Sequence, residues 1–127
     1  MIESSKISSV LSQMNRETKE GIIKWTELLR HKDIGLTSNE ELSGKVYETT
    51  YKERHFLIFK CLVKLQTDEF EYNRVPEHKL IMLDKNRKID WEFPSHRAIM
   101  DLYESVRFVV ADIETFLNSF EDDKLEF

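Results

Sequence analysis

The sequence predicts an α+β fold: an antiparallel sheet of four to five strands packed by an N-terminal helix and a long C-terminal helix. Three features carry this reading. The run HFLIFKCLVKL at 55–65 is apolar on both sides of an extended chain. Segments flanking it alternate apolar and polar residues with the period of a strand. From Pro94 onward, apolar residues recur three and four apart, the spacing of a helix.

The N-terminal helix opens at Ser4 or Ser5, either of which can cap it, and Ile7, Val10, Leu11 and Met14 follow at helical spacing. Gly21 is placed to end it. Beyond it, Ile23 and Trp25 alternate with Ile22, Lys24 and Thr26, which fits a strand; one helix running through Gly21 to Leu29 is the alternative. Residues 30–44 are polar, contain Gly35 and Gly44, and read as a loop. A strand over 45–51 sets Tyr47, Thr49 and Tyr51 on one face, and 52–54 turn the chain without a Gly or Asn.

In the 55–65 run, Leu57, Phe59, Cys61, Val63 and Leu65 share one face. Phe56, Ile58 and Leu62 share the other with Lys60 and Lys64. Such a strand is central and covered on both sides. One helix covers one face, and the other calls for a second helix or a partner chain. Residues 66–79 are acidic and interrupted by Pro76, leaving room for a short edge strand around Phe70 and Tyr72. A hairpin follows: 80–83 apolar, 84–87 turning, then Ile89, Trp91 and Phe93 alternating with polar residues. In the C-terminal helix, Ile99, Leu102, Val106, Val109, Ile113, Phe116 and Phe120 form the stripe, widened by Tyr103, Val110 and Leu117. The acidic segment 121–127 reads as a frayed end.

The 127 residues suit one domain spanning 1–127, and an aromatic share of 11% provides for a core despite 34% charged residues. The net charge of −5, with both signs interspersed, gives no general attraction to nucleic acid or anionic lipid. Residues 56–65 are too short and too charged to span a membrane. The start, MIESSKISSV, lacks the pattern of a secretory signal, and a lone cysteine allows no internal disulfide, so a cytoplasmic location is expected.

Chemistry-bearing motifs are sparse. Cys61 lies mid-strand between Phe59 and Val63, an environment for an inert core thiol, and His55 is about 20 Å away along an extended strand. His31, His55, His78 and His96 have no metal-ligand spacing, and no cofactor or metal is expected. DKNRKID (84–90) departs from a calcium loop at its fifth, sixth and twelfth positions and fits a hairpin turn. Asp90 with Glu92, and Glu69 with Glu71, share strand faces open to water, where nothing tunes them for acid–base work. No nucleophile elbow or phosphate-cradling glycine loop is present, so no catalytic residue is assigned. Two basic clusters, Arg30-His31-Lys32 and 85–88, fall in loops.

Phe108 lies about 140° from the centre of the C-terminal stripe, among Asp101, Glu104, Asp112 and Thr115. A large aromatic in polar company marks a candidate contact with another chain. Together with the second apolar face of the central strand (Phe56, Ile58, Leu62), it predicts a protein-binding, non-enzymatic module that assembles as a homo-oligomer. The alternative is a binder of a small, nucleotide-like ligand in a pocket between sheet and helix. Trp25 or Trp91 would stack on that ligand, and Arg87 or Lys88 would meet its phosphate.

The runs NRETKEGIIKW, LIMLDKNRKIDWEFP and DLYESVRFVVADIETFL together resemble small uncharacterised bacterial α+β proteins of Gram-positive genomes and their mobile elements. The resemblance covers most of the chain from Asn15. It implies a bacterial or phage origin and suits an immunity, regulatory or defence-related role, with no activity attached to any residue.

Overall fold

The computed structural model describes residues 4–30 and 34–125. Helix α1 (Ser4–Lys19) buries Ile7, Leu11, Met14 and Thr18 along one side. Gly21 ends it at φ +77°, a conformation that costs glycine nothing. The amides of Gly21 and Ile22 fold back to donate to the carbonyls of Thr18 and Glu17. The chain therefore does not continue as one helix to Leu29. Ile23 and Trp25 alternate inward as the strand reading expects, although the strand itself, β1, covers only Thr26–Leu28.

Six strands form one antiparallel sheet, adding β2 (Glu40–Leu42), β3 (Val46–Tyr51), β4 (Arg54–Gln66), β5 (Tyr72–Leu83) and β6 (Ile89–Glu92). The order is β1-β3-β4-β5-β6, with β2 also paired to β4. The region 30–44, read as loop, thus contains a strand. β3 lies opposite residues 54–58 of β4, and β2 lies farther along the same edge, opposite 61–63. Between them the chain bulges at 43–45, held by the Ser43 amide donating to the Lys60 carbonyl at 2.9 Å. Gly44 supplies the φ of +89° at this bulge, and a side chain there would crowd the Tyr103 hydroxyl.

The β3–β4 turn places Lys52 and Glu53 at φ +51° and +65°, the left-handed pair of a two-residue hairpin. β5 runs far beyond the apolar segment 80–83 and takes in Pro76, opposite Leu62. β6 pairs only with 81–83, so among the described residues the outer edge of β5 at Pro76 has no strand partner, and a missing N–H is tolerated there. The DKNRKID segment is the expected hairpin turn: Asp84 accepts the amides of Asn86 and Lys88.

The doubly apolar β4 is central, and both of its faces are covered. On one side α1 and α2 (Arg97–Val110) pack over Tyr47, Phe56, Ile58 and Leu80. On the other, Val46, Leu57, Phe59, Cys61, Ile81 and Leu83 lie beneath Ile34, with Leu36 and Leu42 against them. That face needs neither a further helix nor a partner chain, because the chain's own stretch at Ile34–Leu36, leading into β2, packs against it. Gly35 permits the close passage; a Cβ there would stand 2.5 Å from Ile89 Cδ1. Leu65, beyond the core, is exposed.

The C-terminal stripe is two helices, not one. α2 begins at Arg97, where His96 Nδ1 accepts the Ala98 amide at 2.9 Å. α2 ends at Val110, and α3 spans Ile113–Leu125, so segment 121–127, read as frayed, is helical as far as Leu125. Asp112, at φ +53°, makes the break and accepts the Thr115 hydroxyl at 2.9 Å. Aspartate adopts this backbone conformation more readily than most residues and favours helix starts. The sheet-facing stripe accordingly stops at Val106 and Val110.

Candidate functional site

α3 departs from the body of the fold. Ile113 is half-buried, and residues 114–121 are all exposed. Its apolar residues nevertheless keep the spacing of a packing face: Ile113, Phe116, Leu117 and Phe120 stand at i, i+3, i+4 and i+7. Phe116 is 59% exposed and Phe120 54%, with their rings edge to face at 5.2 Å. Phe108 and Val109 extend the apolar surface onto the end of α2, and Phe108 is 46% exposed. Together they form an apolar ridge of the kind that marks interaction surfaces.

Two grooves flank Phe108. One, of about 620 Å³, runs between the end of α1 and the α2–α3 junction, past Gly21, Ser105 and Val109. The other, of about 600 Å³, lies between α2 and the β2–β3 bulge and is lined by Lys45, Tyr47, Lys60, Tyr103 and Arg107. Tyr47 and Tyr103 meet edge to face at 6.0 Å, and the Tyr103 ring lies 5.0 Å from that of His78. Lys60 and His78 are directly opposite in the β4–β5 register. Burial pulls the His78 pKa below the ordinary histidine value, and the Lys60 charge adds to the effect. Burial likewise raises the Tyr103 pKa, with Tyr47 contributing.

No family model, curated protein or solved structure matches this chain.

Of the residues the sequence singles out, Phe108 is on the surface as expected. Phe56 and Ile58 are not: both are sealed in the core beneath the helices and present nothing to another chain. Leu62, farther along the same face, is half-buried. The proposed stacking residues are also packed away. Trp25 is 6% exposed, and its indole N–H donates to the Thr18 hydroxyl at 3.0 Å. Trp91 is half-buried, with its ring on Phe93 at 4.6 Å. Arg87 reaches Glu48 at 3.6 Å on the opposite sheet face, and Lys88 sits in the exposed turn. Tryptophans and phosphate-binding cations are therefore not assembled into one pocket.

Cys61 is fully buried, and burial raises its thiol pKa to about 11, with the Glu40 charge adding to the rise. It is an inert core group. Of the cluster Arg30-His31-Lys32, His31 and Lys32 lie outside the described residues. No three His, Cys, Asp or Glu side chains gather as metal ligands among the described residues. No helix among them is long and apolar enough to cross a membrane.

The sequence reading missed the groove around Tyr103. Its residues come from the bulge, β3, β4 and α2, and no spacing rule joins them. The one local signal is Ser43-Gly44-Lys45, a glycine interrupting an otherwise continuous edge strand.

Proposed function

We propose that the chain is a non-enzymatic protein-binding module that pairs with a second copy of itself through the α2–α3 ridge. The observation that carries this reading is the apolar row Phe116, Leu117 and Phe120, continuing the spacing of half-buried Ile113 yet facing solvent. A helix of thirteen residues is marginal in isolation and draws its stability from packing an apolar side. The ridge lies beside the groove at Gly21, Ser105 and Val109 on the same molecule. Ridge beside groove is a self-complementary arrangement: a two-fold axis sets each ridge into the other copy's groove. Burying phenylalanines in this way supplies the aromatic centre on which interfaces depend. Such an assembly is compatible with the immunity, regulatory or defence-related role that suits the resemblance.

Amide hydrogen exchange across a concentration series tests it. Protection over 113–121 should rise with protein concentration, while amides of 99–106, in the core of α2, stay constant. Exchange of 113–121 that is independent of concentration would contradict self-pairing through this helix.

A further inference from the structure

We propose that the groove between α2 and the β2–β3 bulge binds a small phosphomonoester carrying a flat apolar ring. The charge pattern is the first ground. Lys45, Lys60 and Arg107 line the groove with a single carboxylate, Glu104, in a chain whose net charge is −5. Lys45 and Arg107 are partly engaged, by Glu27 at 3.5 Å and Glu104 at 3.3 Å. Both of these pairs are exposed and weak, so an anion can recruit either cation. Lys60 is half-buried and has no ion-pair partner among the described residues.

The hydrogen-bonding pattern is the second ground. The hydroxyls of Tyr47 and Tyr103 make no side-chain hydrogen bond among the described residues, although both residues are buried. Neither oxygen is a fully buried atom left without a partner, and both residues line the groove. Donors of this kind beside a partly desolvated ammonium suit a ligand rich in acceptors, and a phosphate supplies charge and three acceptor oxygens together.

The walls supply the remainder of the specificity. Phe108, Ala111 and Ile113 add apolar surface to the lining. A groove of about 600 Å³ is large for phosphate alone and matches a ligand the size of an aryl or nucleoside monophosphate. Gly44 keeps this space open: its φ of +89° turns the bulge, and a Cβ there would lie 3.3 Å from the Tyr103 hydroxyl.

Calorimetric titration of the full chain with phenyl phosphate and with AMP tests the proposal and distinguishes an aryl from a nucleoside source. At least one should bind at a single site, and more tightly than inorganic phosphate or adenosine. Lys60→Met should weaken it by about tenfold or more, as loss of a charged hydrogen bond does. Tyr103→Phe, which removes one oxygen and keeps the ring, should weaken it by a smaller factor. Lys85→Met, in the β5–β6 turn, should leave it unchanged. Saturable binding by neither compound overturns the site. Equal weakening by Lys60→Met and Lys85→Met would also overturn it, because the attraction would then be diffuse. The same titration on Phe116→Asp/Phe120→Asp separates this site from self-pairing, since binding should survive there.

Discussion

Lys79 Nζ lies 2.5 Å from Glu40 Oε2, with the two side chains only 10% and 8% exposed. Lys79 also reaches Glu92 at 3.2 Å, so one ammonium on β5 ties β2 to β6 across the covered sheet face. Burial opposes the charge on Lys79, but the hydrogen bonds its ammonium donates to Glu40 and Glu92 outweigh it and raise its pKa. Burial opposes the Glu40 carboxylate too, and Lys79 with the Thr37 amide outweighs it and lowers the pKa. The pair fastens β2, and with it the preceding stretch at Ile34–Leu36 that packs on Leu57, Phe59 and Cys61.

Removing one member of this pair leaves a buried charge without its partner. Lys79→Met should destabilise the fold by about 3 kcal/mol. Lys79→Met with Glu40→Gln should recover part of that loss, because a neutral amide oxygen still accepts from Thr37. Urea unfolding of both variants checks this. The sign for Glu40 follows from its lowered pKa: its stabilisation is present above pH 4.5 and is lost as pH falls through the folded value. The acid limb of the stability profile should therefore flatten in Glu40→Gln.

His78 gives a second, separate pH dependence. It faces Lys60 from β4 and Tyr103 and Glu104 from α2. Its folded pKa lies below 6.5, so the unfolded chain binds the proton more readily. Stability should therefore fall as pH drops below 6.5 toward the folded value, and should be complete above 6.5. The urea midpoint should rise between about pH 5 and pH 7, the range in which histidines titrate. His78→Gln should reduce that slope; an unchanged slope would remove His78 as its source.

The β3–β4 turn holds two non-glycine residues, Lys52 and Glu53, at positive φ. Each pays a steric cost that Asn and Gly avoid. Lys52→Asn with Glu53→Gly should stabilise the chain by about 1 kcal/mol, read from thermal or urea unfolding.

Much of this architecture follows from local pattern. Alternation through 55–63 identifies the central strand, and Ile99, Leu102 and Val106 identify the packed side of α2. What local pattern misses depends on contacts between distant segments. Pro76 interrupts a strand in sequence, yet it lies at an unpaired edge where its missing N–H is harmless. Glu40 and Glu41 read as loop because they carry charge, but Lys79 neutralises one and Arg74 pairs with the other at 3.4 Å. The apolar spacing through 99–120 is continuous, so it hides the break at Asp112, which only the backbone preference of aspartate signals. The cover over Leu57, Phe59 and Cys61 is not legible in the sequence because Ile34, Leu36 and Leu42 are scattered among polar residues.

α3 and its neighbours on α2 keep an exposed apolar row, the surface proposed for pairing. Light scattering across a concentration series, on the wild-type chain and on Phe116→Asp/Phe120→Asp, measures this most directly. The wild type should climb from the 15.2 kDa of one chain toward twice that mass, and the variant should stay at 15.2 kDa while retaining its helical and sheet circular dichroism. A wild-type chain that remains at 15.2 kDa throughout, or a variant that still doubles, would contradict pairing through α3.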